Sequence, residues 1–222
     1  MAANSTLIFD LNGTLTDPSA LGRPWRAPDL GGAVLTAAIQ SAMAETLFGA
    51  YHEFNQHLEG ALRAQVERRR LDESRIDDAL ELVRALPPFP EVQTALDRLT
   101  DAGHRLAVLT NSGAESGRRT LAAAGIDGYF EQILGVDAVR CFKPHPEVYA
   151  YALRELGGGP PERVTLVAAH AWDLAGAKHA GFLGALVRRG GAGVPAVFPR
   201  PDFVVGDLLE LAELASRSSR RG

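Results

Sequence analysis

Thr6-Leu7-Ile8-Phe9, followed by Asp10-Leu11-Asn12-Gly13-Thr14, is the stretch from which the architecture of this chain can be worked out. A short apolar run ended by a polar turn reads as a buried parallel strand, because a strand covered on both faces shows no alternation. Pro18, Gly22, Pro24, Pro28, Gly31 and Gly32 come next and read as a breaker-rich loop. From Ala33 to about Leu86 the pattern turns helical. Leu47, Tyr51, Phe54, Leu58 and Leu62 recur at three- and four-residue steps and are expected on one face. Pro87, Pro88 and Pro90 end that run, since proline removes a backbone donor and disfavours helix in the residue before it.

Beyond the prolines, strand and helix alternate. Helices are expected over 91–102, 114–124, 146–156, 172–180 and 208–215, and strands over 105–110, 132–134, 164–167, 183–187 and 203–205. This order calls for an α/β fold, a doubly wound parallel sheet with helices on both faces and an inserted α-helical segment. The expected division is a sheet domain from residues 1–16 and 88–222 and a helical cap from 17–87. Ligands of such sheets lie beyond the carboxyl ends of the strands, near a switch in strand order. Four polar clusters fall at strand ends and should converge there: Asp10 to Thr14, Thr110-Asn111-Ser112, the loop holding Lys143, and His170 to Asp173. The helical insertion leaves right after the first of them.

Composition narrows the function. Hydrophobic residues make up 46% and charged residues 23%, which argues against bulk disorder. At 222 residues the chain should bury ~70% of its extended surface without staples. A net charge of −4 lacks the basic footprint that nucleic acid demands. The single cysteine, Cys141, has no internal partner and suits a reducing compartment. Met1 to Ser5 carry no positive leader, and no apolar run reaches eighteen residues. A soluble cytoplasmic protein without a membrane partner is the expectation.

Asp10 sits at a strand end beside the N–H groups of Gly13 and Thr14. There a carboxylate is held ionised by donors and by a nearby cation, or serves as a plain loop cap. Lys143 lies in Phe-Lys-Pro-His-Pro, whose prolines fix the local backbone. Asp173 follows Trp172 at a helix start, where free N–H groups stabilise a carboxylate.

Taken together, Phe9 to Asp17, Leu109 to Ser112, Lys143-Pro144 and His170-Ala171-Trp172-Asp173 resemble the four ordered motifs of the haloacid dehalogenase-like hydrolases. The resemblance covers the whole sheet domain, and the insertion looks like that superfamily's first type of cap. It implies that Asp10 is a nucleophile forming a covalent aspartyl intermediate. Phosphatases of the superfamily place a second Asp two residues later as general acid; Asn12 stands there. They also bind Mg²⁺ with acids of the fourth motif, where this chain has Val167-Ala168-Ala169. Both departures disfavour phosphoryl transfer.

The remainder resembles the type II (S)-2-haloacid dehalogenases, whose fourth motif reads Asn-Ala-Trp-Asp and whose third has Lys-Pro with a Tyr six residues after the Lys. Here that Tyr is Tyr149. The resemblance implies that Asp10 displaces halide from carbon, that water near Asp173 hydrolyses the ester, and that Lys143 keeps Asp10 ionised. Thr14 and Thr110 supply hydroxyl donors. Asn111 and the backbone near Leu11 and Asn12 hold the substrate carboxylate. Halide leaves unprotonated, so position 12 needs no acid. No metal or organic cofactor is required.

Several positions depart from that pattern. Well-studied dehalogenases carry an aromatic-Arg pair at the start of the cap, where this chain has Ala33-Val34-Leu35-Thr36. Trp25 with Arg23 or Arg26 can substitute, or these are surface residues near a hinge. His170 replaces the Asn and either handles water or fills the site as a neutral donor. Tyr149 either meets substrate or packs in the core. The expected partner is a small carboxylate substrate, and the cap helices offer a homodimer face or a cap–core face. Rival readings are carbon–nitrogen cleavage of an azetidine-2-carboxylate type, a phosphatase, and a catalytically inactive binding protein.

Overall fold

A computed structural model of the chain describes residues 5–190 and 193–219. The first strand, β1 (Thr6–Phe9), buries Leu7, Ile8 and Phe9 completely, because a parallel strand lies on either side of it. Phe9 pairs in register with Val108 of β2 (Arg105–Thr110) and with Val167 of β4 (Val164–Ala168). Outside these lie β3 (Gln132–Gly135) on one edge, then β5 (Leu183–Val187) and β6 (Phe203–Val205) on the other. The strand order is β3-β2-β1-β4-β5-β6, and every pairing is parallel. Winding reverses between β1 and β4, so a crevice opens beyond the carboxyl end of β1.

Alternation along β1 sends Ile8 to one face of the sheet and Leu7 and Phe9 to the other. On the second face α4 (Val92–Asp101) and α8 (Leu208–Ser219) pack against the strands, and Leu121 of α5 (Ala114–Ala123) joins them. The first face is covered by α6 (Pro146–Glu155) and α7 (Ala171–His179). The same apolar cluster continues unbroken into the helices between β1 and α4. Those are α1 (Pro28–Leu47), α2 (Phe54–Arg68) and α3 (Ile76–Val83).

The breaker-rich loop proves to be a 3₁₀ helix, Pro18–Trp25, capped by the Asp17 carboxylate, which accepts the Ser19 N–H at 2.9 Å. Two of its glycines, Gly22 and Gly31, serve packing. A Cβ on Gly31 would lie 1.7 Å from the Pro18 carbonyl oxygen, so α1 crosses this turn backbone against backbone. Helix α1 therefore starts at Pro28, five residues before Ala33.

The apolar stripe expected from Leu47 onward also needs correction. Helix α1 stops at Leu47 and α2 starts at Phe54, so the spacing straddles a break. Phe54, Leu58 and Leu62 are buried, whereas Leu47 is 89% exposed. At the other end α8 reaches Ser219, four residues past the expectation, while residues 220–222, like 1–4, lie outside the described residues.

Candidate active site

Asp10 is the first residue past β1. The turn that follows is closed by Thr14 and Leu15 N–H bonds to the Leu11 carbonyl, at 3.2 and 2.9 Å, and by a Gly13 N–H bond to Thr16 at 2.9 Å. Gly13 has φ +89°, a conformation other residues adopt only with strain. Among the described residues the backbone N–H groups of Leu11 and Asn12 have no backbone acceptor. They are unspent donors beside Asp10, while the Leu11 side chain belongs to the core. Thr14 donates its hydroxyl to Asp10 Oδ2 at 2.8 Å and accepts the Ala169 N–H at 2.9 Å, tying β1 to the end of β4.

Lys143 arrives from the loop ahead of α6 with its side chain wholly buried. Its Nζ lies 3.1 Å from Asp10 Oδ1 and 2.8 Å from Asp173 Oδ2, so one ammonium bridges two carboxylates. The loop is held at both sides. The Lys143 N–H bonds Asn111 Oδ1 at 2.9 Å, and the Phe142 N–H bonds the Thr46 hydroxyl of α1 at 2.9 Å. Asp173 sits in the first turn of α7, and its Oδ1 accepts the Tyr149 hydroxyl at 2.7 Å.

The two carboxylates are driven apart. Burial pushes Asp10 up, but the charges of Lys143 and His170 and the hydrogen bonds from Thr14 and Lys143 bring it below the ordinary carboxylate range. Burial pushes Asp173 up as well, and the neighbouring Asp10 charge adds to that, so it stays above its ordinary value despite Lys143. Burial alone would lower Lys143, yet the two Asp charges raise it, and it remains an ammonium. An ionised Asp10 beside a more basic Asp173 is the separation expected of a nucleophile and a general base.

Above them lies a cavity of about 10 Å³, the scale of a single water. Its polar wall is Asp10, Asn12, Thr110, Asn111 and His170; its apolar wall is Leu35, Ile39, Phe54 and Trp172. Asn12 is occupied with the Thr16 hydroxyl at 3.2 Å, and the Thr110 hydroxyl accepts the Ser112 N–H at 3.1 Å. The His170 ring stacks on Trp172, with centroids 5.4 Å apart and planes at 17°. Beyond His170, Gly13 and Leu35 an open cleft of about 590 Å³ continues outward past Asp17, Asp29, Arg188 and Arg189.

The structure thus brings Asp10, Thr14, Lys143, His170 and Asp173 together, with Asn12, Thr110 and Asn111 at the same cavity and the Leu11 backbone beside it. Two expected substrate contacts are corrected. Trp25 is drawn away because its indole N–H donates to the Asp72 carbonyl at 2.8 Å, anchoring the 3₁₀ helix to the turn before α3; Arg23 and Arg26 are exposed. Tyr149 is fully buried and reaches Asp173 rather than the cavity. Leu35, Ile39 and Phe54 were legible only as apolar helix positions, since periodicity does not separate a cavity wall from core. Arg189, which donates to the Thr14 carbonyl at 3.0 Å and so braces the turn after Asp10, has no sequence signal at all.

A divalent cation of the kind phosphatases of this fold use does not fit these residues. Lys143 Nζ occupies the space between the carboxylates, the positions before His170 are Ala168 and Ala169, and the Ala169 N–H is already bonded to Thr14. Among the described residues no cluster of three His, Cys, Asp or Glu could hold a metal.

This arrangement defines a hydrolase built around a buried Asp–Lys–Asp trio. Residues 5–181 match the family model of haloacid dehalogenase-like hydrolases, and the chain belongs to that family. It is 31% identical over 227 aligned positions to an (S)-2-haloacid dehalogenase of Pseudomonas sp. (strain YL), covering 97% of each chain. It is 30% identical to haloacetate dehalogenase H-2 of Moraxella sp. (strain B), covering 90% of this chain and 92% of that one. The solved L-2-haloacid dehalogenase of Xanthobacter autotrophicus with chloropropionic acid covalently bound superposes with a TM-score of 0.83 at 27% identity, over 96% of this chain and 98% of that one.

Proposed function

We propose that the protein hydrolyses the carbon–halogen bond of a small 2-haloalkanoic acid through an ester on Asp10, with residues 17–87 acting as the cap over the site. The observation that carries the reading is Lys143 bridging Asp10 and Asp173 out of contact with solvent. Such a trio keeps a carboxylate ionised and aimed without a metal.

Asp10 attacks C2 of the substrate from the side opposite the halogen. An oxygen–carbon bond forms, the carbon–halogen bond breaks, and halide leaves with the electron pair and inversion at C2. Free N–H groups of Leu11 and Asn12, with Asn111 and Thr110, hold the substrate carboxylate. Water then adds to the Asp10 carboxyl carbon and gives its proton to Asp173. The oxyanion forms beside Lys143 Nζ and collapses, the 2-hydroxy acid departs with that proton, and the Asp10 carboxyl releases the water's second proton to solvent. Tyr149 acts through Asp173, holding Oδ1 so that Oδ2 stays with Lys143.

Carbon–nitrogen ring opening, phosphatase chemistry and a non-catalytic role are not favoured. The relatives that align over nearly the whole chain are named for haloacid dehalogenation, and Asn12 and Ala168-Ala169 stand where phosphatases of the superfamily carry acids. A single turnover of 2-chloropropionate in H₂¹⁸O tests the reading: the label should enter Asp10, leaving the first product unlabelled. Label in that product and none in Asp10 would exclude the ester.

A further inference from the structure

The cavity has a charge problem. Asp10, Lys143 and Asp173 sum to −1, and Lys143 is spent on both carboxylates. The substrate is itself an anion, yet among the described residues no Arg or Lys lines the cavity. Bringing a second negative charge beside Asp10 in a water-poor site is costly unless a cation meets it. Among the described residues that line the cavity, His170 is the one side chain that can carry a positive charge.

Its geometry suits the task. A carbonyl oxygen only accepts, so the contact of His170 Nε2 with the Asn12 carbonyl at 3.2 Å assigns a proton to Nε2. Among the described residues Nδ1 has no hydrogen-bond partner, leaving it free to carry the second proton. The ring is fixed by its stack on Trp172 and by Gly13, where a Cβ would come within 3.0 Å of Nε2. His170 lines both the small cavity and the open cleft, so it stands where the two meet.

Resting on the dehalogenase reading, we infer that His170, as an imidazolium, is the cation that joins the Leu11, Asn12, Thr110 and Asn111 donors on the carboxylate of the incoming 2-haloacid. Its Nε2 lies 3.9 Å from Asp10 Oδ2, beside the attacking carboxylate. In a backside displacement the halide leaves away from the attacking oxygen, whereas the substrate carboxylate projects sideways from C2, within reach of a group beside Asp10. The charged groups around the ring are Asp10 after β1, Lys143 and Asp173 beneath, Asp17 and Asp29 across the cleft, and Arg188 and Arg189 after β5. Arg189 is committed to Glu91 and the Thr14 carbonyl.

Propionate, which carries the carboxylate and no leaving group, is the probe. Titration calorimetry at pH 7.5, in buffers of different ionisation heat, should show proton uptake on binding to the wild type. His170→Asn should bind at least tenfold more weakly and without proton uptake. His170→Arg should bind within threefold of wild type, again without uptake. With 2-chloropropionate, His170→Asn should raise KM at least tenfold, and His170→Arg should restore it to within threefold of wild type. Unchanged affinity and proton uptake in His170→Asn would overturn the inference, as would proton uptake with bromide but none with propionate. Propionate binding needs no turnover. Failure of the wild type to release halide would sink the dehalogenase reading alone, and normal release with unaltered propionate binding in His170→Asn would sink this one alone.

Discussion

Lys143 is the residue whose loss should cost chemistry and stability together. Removing its ammonium leaves Asp10 and Asp173 buried together with no counter-charge, and breaking a buried ion pair from one side costs about 3–5 kcal/mol. Lys143→Met is therefore expected to lower kcat for 2-chloropropionate by at least about a thousandfold. It should also lower urea stability at pH 7 by that amount, with part of the loss recovered near pH 5 as a carboxyl takes up a proton. Wild-type turnover in this variant would remove Lys143 from the mechanism. Tyr149→Phe deletes only a hydroxyl that holds Asp173 Oδ1, so the displacement step should survive while ester hydrolysis slows about 10–100-fold. Intact-mass spectrometry during turnover should then find the alkylated chain accumulating, where wild type shows little. Asp10, Thr14, Lys143 and Asp173 were readable because each stands at a strand end or helix start where the fold must deliver it. Trp25 and Tyr149 were not, since their destinations depend on which way a buried side chain turns between packed helices.

At the scale of elements, α6 and α7 must lie close enough for a tyrosine on one to reach an aspartate on the other. Gly176 of α7 permits this, because a Cβ there would sit 2.5 Å from the Tyr149 hydroxyl oxygen and 2.8 Å from Pro144 Cβ. Gly176→Ala should favour α7 as a helix by up to about 1 kcal/mol, yet the overlap should cost more, about 1–3 kcal/mol. The variant should therefore melt lower and accumulate ester as Tyr149→Phe does. A higher melting temperature with unchanged hydrolysis would show that the tyrosine moves aside freely. In the insertion α1 and α2 are held by a different device. Glu45 of α1, nearly buried, accepts from His52 and from His57 Nε2 at 2.9 Å, and the His57 ring meets Phe142 edge-on at 5.3 Å, next to Lys143. The parallel sheet was legible in the alternation of strand and helix, which depends on local pattern, whereas the strand order was not, because it depends on which strands pair. The break between α1 and α2 was not legible either, because Leu47 and Phe54 keep helical spacing across a turn that only tertiary packing terminates.

For the whole molecule these buried groups set the pH range of stability. His104, at the start of β2 and away from the site, is nearly buried with Nε2 unpartnered, and burial holds its imidazole below the ordinary value. The unfolded chain therefore takes up that proton first, and stability falls as pH drops below about 6.5. Glu45 works over a lower window. Burial alone would raise it, but bonds from His52 and His57 bring it to about 2, so its contribution is present above about 4.5 and lost as pH falls toward 2. Asp10, also lowered, acts in the same direction, while the raised Asp173 offsets part of that loss. At the alkaline end the raised Lys143 and Tyr149 contribute below about pH 10 and lose that contribution as pH rises past it. Stability is thus expected to be flat between about pH 7 and 9, with a shallow acid limb from 6.5 and a steep one from 4.5. His104→Gln isolates the shallow limb. At pH 8 it should lie within about 1 kcal/mol of wild type, and between pH 8 and 5.5 it should lose on the order of 1 kcal/mol less. Urea unfolding at four pH values measures both, and parallel curves for the two proteins would show that His104 titrates alike in the folded and unfolded chain.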